Sequence, residues 1–260
     1  MGLKRTVAGA GAYGYAIGAY GCRVGSRCDI WVTDLGRESA ADLALLSSSE
    51  RRRRDDMVHS ADRSRFTLGV ALSRRAAGRA LGIDPLLVHI DRRCERCGAA
   101  HGKPRLPGTS LQLSVSHSAD LVAVALTSAG SVGIDVERID QDVPQALAEM
   151  LLAPGEVASS ASEFFTLWCR KESVVKATGD GMRVALTTVT VTAAVDAPRL
   201  LSYPPSGHSA GSAALPTQPA AQISAPFPAQ LLDLSLRAGY AGALTVLTAH
   251  RIQPNIYVAE

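Results

Sequence analysis

The sequence lacks several features that would place it in a specialised class of protein. It has no run of about eighteen apolar residues, so no segment is predicted to cross a membrane as a helix. Its five cysteines are too few for a secreted disulfide scaffold, which favours a reducing cytoplasm. The net charge of +3 is too small to indicate a nucleic-acid partner, although it allows a local basic patch facing an acidic ligand. With 47% hydrophobic residues among 260, the chain can form the core of a globular protein.

Lysine is also scarce, since only four of the 27 basic residues are lysines. Three of them, Lys103, Lys171 and Lys176, fall in the two segments that carry chemical signals for other reasons. A compact ammonium and a guanidinium fork are not interchangeable beside a phosphate or a reacting group. These three lysines are therefore candidate functional residues, with chance as the alternative interpretation.

The order of predicted elements indicates an α+β fold made of two pseudo-symmetric α/β halves. An N-terminal half (28–131) and a C-terminal half (132–260) each show one strand, two helices and three strands, so we expect the active site at their interface. Residues 1–27 are predicted to be a flexible leader, and residues 196–230 a low-complexity surface loop. The predicted strands are 29–35, 86–90, 111–116, 121–127, 132–137, 184–193, 231–237 and 243–249, and the predicted helices are 40–54, 61–81, 144–152 and 163–178.

Two acidic residues alternate with apolar ones in the strand predicted at 132–137. Side chains two residues apart share one face of a strand, so Asp135 and Glu137 point the same way. Adjacent carboxylates repel each other unless a cation or a proton lies between them. The pair therefore predicts a cation site, and the alternative is a strand with a solvated acidic face.

A stripe of one predicted helix carries a third acid. Trp168, Glu172 and Lys176 recur every four residues and so lie on one side of the helix. If Glu172 converges with Asp135 and Glu137, the three carboxylates form an all-oxygen site, which suits Mg²⁺ or Mn²⁺ rather than zinc. An exposed Glu–Lys pair is the alternative, but the many apolar neighbours indicate a helix buried on much of its circumference.

Magnesium in such a setting usually bridges to phosphate oxygens, so we expect basic residues nearby. Ser116-His117-Ser118 follows a predicted strand, and its hydroxyls, backbone amides and imidazole could cradle a phosphate. A plain polar turn is the alternative. A serine hydrolase is not indicated here, because neither Ser116 nor Ser118 lies in the nucleophile motif GxSxG. The basic candidates are Arg51, Arg54, Arg65, Lys103 and His117.

Cys94-x-x-Cys97-x-x-x-His101 has the spacing of half a zinc site. Cys22 or Cys28 could supply a fourth ligand. Thiols in a surface loop without metal are the alternative, and the sequence leaves the choice open.

Four motifs in this order resemble the Sfp-type 4′-phosphopantetheinyl transferases: His101-Gly-Lys103-Pro104, Ser116-His117-Ser118, Gly133-Ile-Asp-Val-Glu137, and Trp168-x-x-Lys171-Glu172-Ser-x-x-Lys176-x-x-Gly-x-Gly181. The resemblance runs from about residue 29 to residue 182. It implies a monomeric, Mg²⁺-dependent enzyme that transfers the phosphopantetheine arm of coenzyme A to a serine of an apo acyl or peptidyl carrier protein. The by-product would be adenosine 3′,5′-bisphosphate, and the pathway of the carrier, such as secondary metabolite biosynthesis, is left open.

The resemblance also implies a role for each candidate residue. Asp135, Glu137 and Glu172 would ligate Mg²⁺, with Glu172 also a candidate base for the serine proton, directly or through metal-bound water. Lys176 would neutralise charge on the phosphoryl group. The residues expected to contact coenzyme A are Arg51, Arg54, Arg65, Lys103, Ser116, His117 and Lys171.

Two other functions would explain part of the sequence. Another Mg²⁺-dependent phosphotransferase or pyrophosphate-cleaving enzyme would explain the acids and lysines, but not Ser-His-Ser together with Gly-Lys-Pro. A non-catalytic carrier-binding module would not need Asp135, Glu137, Glu172 and Lys176, all of which are present.

Overall fold

A computed structural model describes residues 3–6, 27–204 and 227–259, which form two compact units. Unit 1 comprises Met1–Ala129 and Ile252–Glu260, and unit 2 comprises Gly130–Arg251. The strands are β1 Leu3–Thr6, β2 Arg27–Asp34, β3 Gln112–Ser118, β4 Leu121–Thr127, β5 Val132–Arg138, β6 Thr190–Val191, β7 Leu200–Ser202, β8 Gln230–Asp233, β9 Tyr240–Val246 and β10 Gln253–Ala259. The helices are α1 Ala40–Ala44, α2 Ser48–Asp55, α3 Ser60–Leu81, α4 Gln145–Leu151 and α5 Ala161–Thr178.

Unit 1 is built on a five-stranded sheet in the order β1-β10-β2-β4-β3. Strand β10 runs parallel to β2, and the other pairs are antiparallel. Every residue of β4 is buried, as expected for a strand that has neighbours on both sides and a helix against one face. Helix α3 packs on the sheet, and its Leu72 joins Trp31, Leu113 and Val124 in one apolar cluster.

Unit 2 combines the three-stranded sheet β5-β9-β8 with the helix α5, and β6 and β7 form a separate pair. The close approach of α5 to β5 requires glycine at Gly133, because a Cβ there would lie 1.9 Å from the carbonyl oxygen of Ser173 and 2.5 Å from the backbone nitrogen of Ala177. Side chains alternate along a strand, so the face of Gly133, which includes Asp135, is the one that meets α5.

The predicted α+β class is confirmed, but the repeated order of one strand, two helices and three strands is not found in that form. Residues 86–90 are not a strand, because Pro85 begins a single 3₁₀ turn whose Leu86 amide donates to the Asp84 side chain. Within the predicted strand 184–193 only Thr190–Val191 forms a strand, after another 3₁₀ turn. The predicted helix 40–54 divides at Ser47, which caps α2.

The two segments of unusual composition lie largely outside the described residues. Within the expected leader, residues 3–6 form β1 and pair with β10, and within residues 196–230 the structure adds β7. Residues 252–260, assigned to the C-terminal half from the sequence, belong to unit 1. No helix of the described part of the chain is both long and apolar enough to cross a bilayer.

We expect Glu50→Gln to destabilise unit 1 by about 1–3 kcal/mol near neutral pH. The carboxylate of Glu50 accepts from the backbone of Ser47 at 2.8 Å and from Arg74 at 2.7 Å. Burial acts to raise the pKa of Glu50, but these donors outweigh it and the pKa is lowered. A lowered pKa stabilises the fold above the ordinary value of the carboxyl group, and this contribution disappears as the pH falls through the folded-state pKa.

Urea unfolding of the wild type and Glu50→Gln, at neutral pH and at acidic pH, measures the effect. The difference between them should shrink on acidification, whereas Asp56→Asn, at an exposed site just after α2, should change little at either pH. A difference independent of pH would contradict the ionised Glu50–Arg74 pair.

Candidate active site

The strand β5 and the helix α5 bring an acid and a base of unit 2 into direct contact. Lys176 Nζ donates to Asp135 Oδ1 at 2.6 Å. The Asp135 carboxylate is almost completely buried, with 3% of its side chain exposed, whereas 31% of the Lys176 side chain is exposed. A strand and a helix separated by some forty residues therefore meet at this pair. The Lys176 ammonium is thus partly exposed to solvent, and the buried Asp135 carboxylate accepts its hydrogen bond.

Glu172, one turn before Lys176 on α5, is half-buried and lies within electrostatic range of both groups. Burial raises the pKa of Glu172, the negative charge of Asp135 raises it further, and Lys176 opposes the shift. A carboxylate whose pKa is raised binds a proton more tightly than an ordinary one, which suits it to act as a base.

Lys176 keeps its charge in spite of its surroundings. Burial acts to lower the pKa of Lys176, but the attraction of Asp135, its hydrogen bond and the charge of Glu172 outweigh burial, so the pKa is raised. The ammonium is therefore a fixed positive charge at neutral pH, and it faces two carboxylates.

The carboxylates Asp135, Glu137 and Glu172 form a donor set that suits a hard divalent cation such as Mg²⁺. The structure places Asp135 and Glu137 on one face of β5, and Glu137 is half-buried near its end. The oxygens of the three acids do not all come within 4.8 Å of one another. Because neighbouring carboxylates repel each other, they need a positive charge nearby. Lys176 supplies that charge beside Asp135.

Unit 1 contains a cavity of about 370 Å³ that is rich in cations. Arg65 and His117, both expected from the sequence, line it together with Arg53 and Arg92. The guanidinium of Arg53 lies 5.3 Å from the centre of the Phe66 ring, which also lines the cavity. Burial and the neighbouring Arg53 lower the pKa of Arg92. Asp62 also lines the cavity and forms an ion pair with Arg65 at 2.6 Å, so Arg53 and Arg92 are the lining guanidinium groups that would favour a bound anion.

Comparison with known proteins identifies the segment that carries Asp135, Glu137, Glu172 and Lys176. Residues 131–213 match a family model described as the 4′-phosphopantetheinyl transferase superfamily. The match covers about a third of the chain, and it is this segment that is similar to the superfamily. The chain is 33% identical over 153 residues to the 4′-phosphopantetheinyl transferase HetI of Nostoc sp., an alignment that covers 54% of this chain and 62% of HetI.

Two Bacillus transferases are also similar. A 4′-phosphopantetheinyl transferase of Bacillus subtilis is 27% identical over 158 residues, covering 57% of this chain and 67% of that protein. The transferase psf-1 of Bacillus pumilus is 33% identical over 115 residues, covering 40% of this chain and 48% of its own. The chain thus spans about half to two thirds of the curated relatives it matches.

Lys171, expected from the resemblance to contact coenzyme A, has its partners inside unit 2. Its side chain is completely buried, and its ammonium forms an ion pair with Glu156. It also donates to the carbonyl oxygens of Leu151 at 2.7 Å and Leu186 at 3.1 Å. The ammonium therefore has three acceptors inside unit 2, which supports a structural role for Lys171. It secures α5 to the neighbouring loops.

We expect Lys171→Met to destabilise unit 2 by about 3–5 kcal/mol, because it leaves the buried Glu156 carboxylate without its cation. Chemical denaturation measures the loss, and Arg183→Met, at an exposed site of the same unit, provides the control. A stable Lys171→Met variant with a greatly raised KM for coenzyme A would instead restore the role expected from the sequence.

Arg53 is the residue of the basic run of α2 that lines the cavity, and it was not predicted from the sequence. Arg51 donates to the carbonyl oxygens of Leu46 and Ala44, and Arg54 donates to Thr67 at 2.9 Å and to Glu38 at 3.3 Å. Neither of them lines the cavity, and Arg53 does. Helical periodicity places Arg53 and Arg51 on different faces of α2, but the sequence does not show which of these faces lines the cavity.

The expected phosphate cradle at β3 is also divided between two faces. Val115 and His117 line the cavity, and side chains alternate along a strand, so Ser116 points to the other face, where it is 5% exposed. The Ser116 hydroxyl therefore does not line this cavity. Lys103 is half-buried and is not among the lining residues, and burial together with Arg105 lowers the pKa of Lys103 to about 8.

Proposed function

We propose that this chain transfers the 4′-phosphopantetheine arm of coenzyme A to a serine hydroxyl of an apo acyl or peptidyl carrier protein, with Mg²⁺ as the cofactor. The observation that carries the proposal is the contact between Lys176 and Asp135, with Glu172 beside it, inside the segment shared with the superfamily. We further propose that the chain acts as a monomer in a reducing cytoplasm and modifies one serine in each reaction.

The acids of unit 2 would hold the metal. Asp135, Glu137 and Glu172 would ligate Mg²⁺, which when bound would neutralise charge on the pyrophosphate of coenzyme A. The all-carboxylate donor set supports this assignment.

The bond changes follow from the remaining groups of unit 2. The serine oxygen of the carrier forms a bond to the phosphorus that bears the pantetheine arm, and the bond from that phosphorus to the leaving oxygen breaks, releasing adenosine 3′,5′-bisphosphate. Glu172, whose pKa is raised, takes the serine proton. Lys176, whose charge is fixed by Asp135, stabilises the negative charge that develops on the phosphates.

The cationic cavity of unit 1 would bind the nucleotide end of coenzyme A. Its volume lies near the lower end of the range for ligand sites, about 300–1,000 Å³, so it suits part of the molecule rather than the whole. Arg53, Arg65 and His117 would contact phosphate, and Phe66 offers an aromatic ring to the adenine.

A mass-shift assay tests the reaction. The purified chain is incubated with coenzyme A, Mg²⁺ and an apo carrier protein, and the carrier should gain one phosphopantetheine arm while adenosine 3′,5′-bisphosphate appears. Chelation of divalent metal should stop the gain. Cleavage of coenzyme A without labelling of any carrier would favour a pyrophosphate-cleaving enzyme, and carrier binding without either change would favour a non-catalytic module.

We expect His117→Ala to raise the KM for coenzyme A by about 10- to 100-fold with little change in kcat, because a hydrogen-bond donor to phosphate is lost. With 3′-dephospho-coenzyme A as the substrate, the variant and the wild type should differ far less. His89→Ala, at an exposed site of the same unit, is the control. An equal loss with both substrates would show that His117 does not contact the 3′-phosphate.

A further inference from the structure

The loop between residues 91 and 105 of unit 1 brings together three side chains of the kind that bind zinc. Cys94, Cys97 and His101 each offer one ligand atom, and these atoms all lie within 4.8 Å of one another. Cys97 Sγ lies 2.9 Å from His101 Nε2. The described residues add no fourth His, Cys, Asp or Glu to this group.

The backbone holds the three side chains in place. At the base of the loop Asp91 and Arg105 exchange backbone hydrogen bonds of 3.0 and 2.8 Å. Inside it the Gly98 amide donates to the carbonyl of Cys94 at 2.9 Å, and Gly98 has the left-handed φ of +72° that this turn needs. At Gly102 a Cβ would lie 2.7 Å from the carbonyl oxygen of Arg93, so the loop closes tightly behind His101.

We infer that Cys94, Cys97 and His101 bind a Zn²⁺ ion. Thiolate sulfur and imidazole nitrogen are the ligands that zinc prefers in proteins, and Zn–S and Zn–N lengths of about 2.3 and 2.0 Å put tetrahedral ligand atoms roughly 3.5–3.8 Å apart. The separations in the loop lie within a small side-chain movement of these values, and Cys97 and His101 are exposed and able to move. The inference is independent of the proposed transferase activity.

The fourth position of the tetrahedron is open to solvent. Cys28, one of the two cysteines suggested by the sequence, is completely buried in β2, where desolvation strongly raises the pKa of its thiol. It is therefore not a ligand for an exposed loop, and Cys22 lies outside the described residues. Glu95, the acid between the two cysteines, forms an ion pair with Arg105. A water molecule from solvent is the ligand that fits.

The site would order a loop that borders the cationic cavity. Arg53, which lines the cavity, donates to the carbonyl oxygen of Ala100, one residue before His101. Arg92, another lining residue, accepts at its carbonyl oxygen from the Gly102 amide at 2.7 Å. A zinc ion at Cys94, Cys97 and His101 would therefore fix two contacts that position cavity arginines.

Zinc analysis of the full chain tests the inference. After growth with zinc and dialysis against metal-free buffer, the wild type should retain about one zinc per chain. Cys97→Ser and His101→Ala should each lower the zinc affinity by at least about 100-fold, since changes even to groups behind the ligands cost 10- to 100-fold. Titration with Co²⁺ should give thiolate-to-cobalt absorption in the wild type only.

Controls separate the site from adventitious binding and from unfolding. Cys28→Ala should retain zinc, and so should His250→Ala, at an exposed histidine of unit 2. Trypsin should cleave after Arg93 and Arg96 faster once a chelator has removed zinc from the wild type. Wild-type protein that binds no more zinc than Cys97→Ser, or that carries a Cys94–Cys97 disulfide when prepared in reducing buffer, would overturn the inference.

Discussion

Asp135→Asn is expected to reduce kcat/KM for carrier labelling by between about a hundred- and a thousandfold while leaving unit 2 folded. Asparagine has the shape of aspartate but carries no charge, so it weakens two interactions at once. It removes the anion that holds the Lys176 ammonium at 2.6 Å, and it removes the most buried of the three carboxylates proposed to hold Mg²⁺. The partner left behind, Lys176, is 31% exposed and can be solvated, so we expect only a modest loss of stability.

The mass-shift assay across a range of Mg²⁺ concentrations measures this effect. If the loss reflects metal binding, part of it should be recovered at high Mg²⁺. If it reflects the position of Lys176 alone, no recovery should occur. Asp140→Asn changes an exposed acid just beyond β5 and should leave the rate unchanged. A near-wild-type rate for Asp135→Asn at low Mg²⁺ would remove Asp135 from the reaction.

The faces that carry Asp135 and Lys176 could be predicted because they depend on local periodicity, whereas the hydrogen bond between the two residues was not predicted. Alternation fixes which face of β5 carries Asp135, and a repeat of four residues places Glu172 and Lys176 on one stripe of α5. The contact needs one further condition, the close approach of helix to strand, and Gly133 provides it. Gly133, two residues before Asp135, is therefore the feature of the sequence that allows the contact.

The same periodicity places Lys171 and Lys176 on different sides of α5. Successive residues of a helix are rotated by about 100°, so Lys171 lies about 140° around α5 from Lys176 and cannot share its stripe. Arg170, the residue before it, is also completely buried and donates to Asp233 at 2.6 and 2.8 Å. Lys171, for which the resemblance implies a contact with coenzyme A, therefore lies in the core of unit 2 in this structure.

The rest of the fold depends on contacts that no local pattern contains. Strand β1 pairs Leu3 with Ala259, and β10 lies parallel to β2, so the last residues of the chain complete the sheet of unit 1. Neither strand was predicted, since their partners are distant in sequence. The same limit applies to the cavity, where Arg92 joins Arg53 only because the 91–105 loop folds back towards α2.

Lys176→Arg is expected to reduce kcat by about 100-fold at saturating coenzyme A, although the charge is kept. The ammonium is a compact donor fitted between β5 and α5, where it reaches a carboxylate that is 3% exposed. A guanidinium is planar, longer and broader, so it cannot occupy this position without moving Asp135 or leaving the site. The raised pKa of Lys176 shows that its surroundings favour the charged form, so charge alone does not distinguish the two residues.

Comparison of Lys176→Arg with Lys176→Met separates charge from geometry. Equal losses in the two variants would show that the position of the ammonium is what the reaction needs. Arg183→Lys, an exposed substitution in the opposite sense after α5, controls for a general effect of exchanging the two cations. If Lys176→Arg retains the wild-type rate while Lys176→Met loses it, any cation near Asp135 suffices. The scarcity of lysine elsewhere in the chain would then carry no functional meaning at this position.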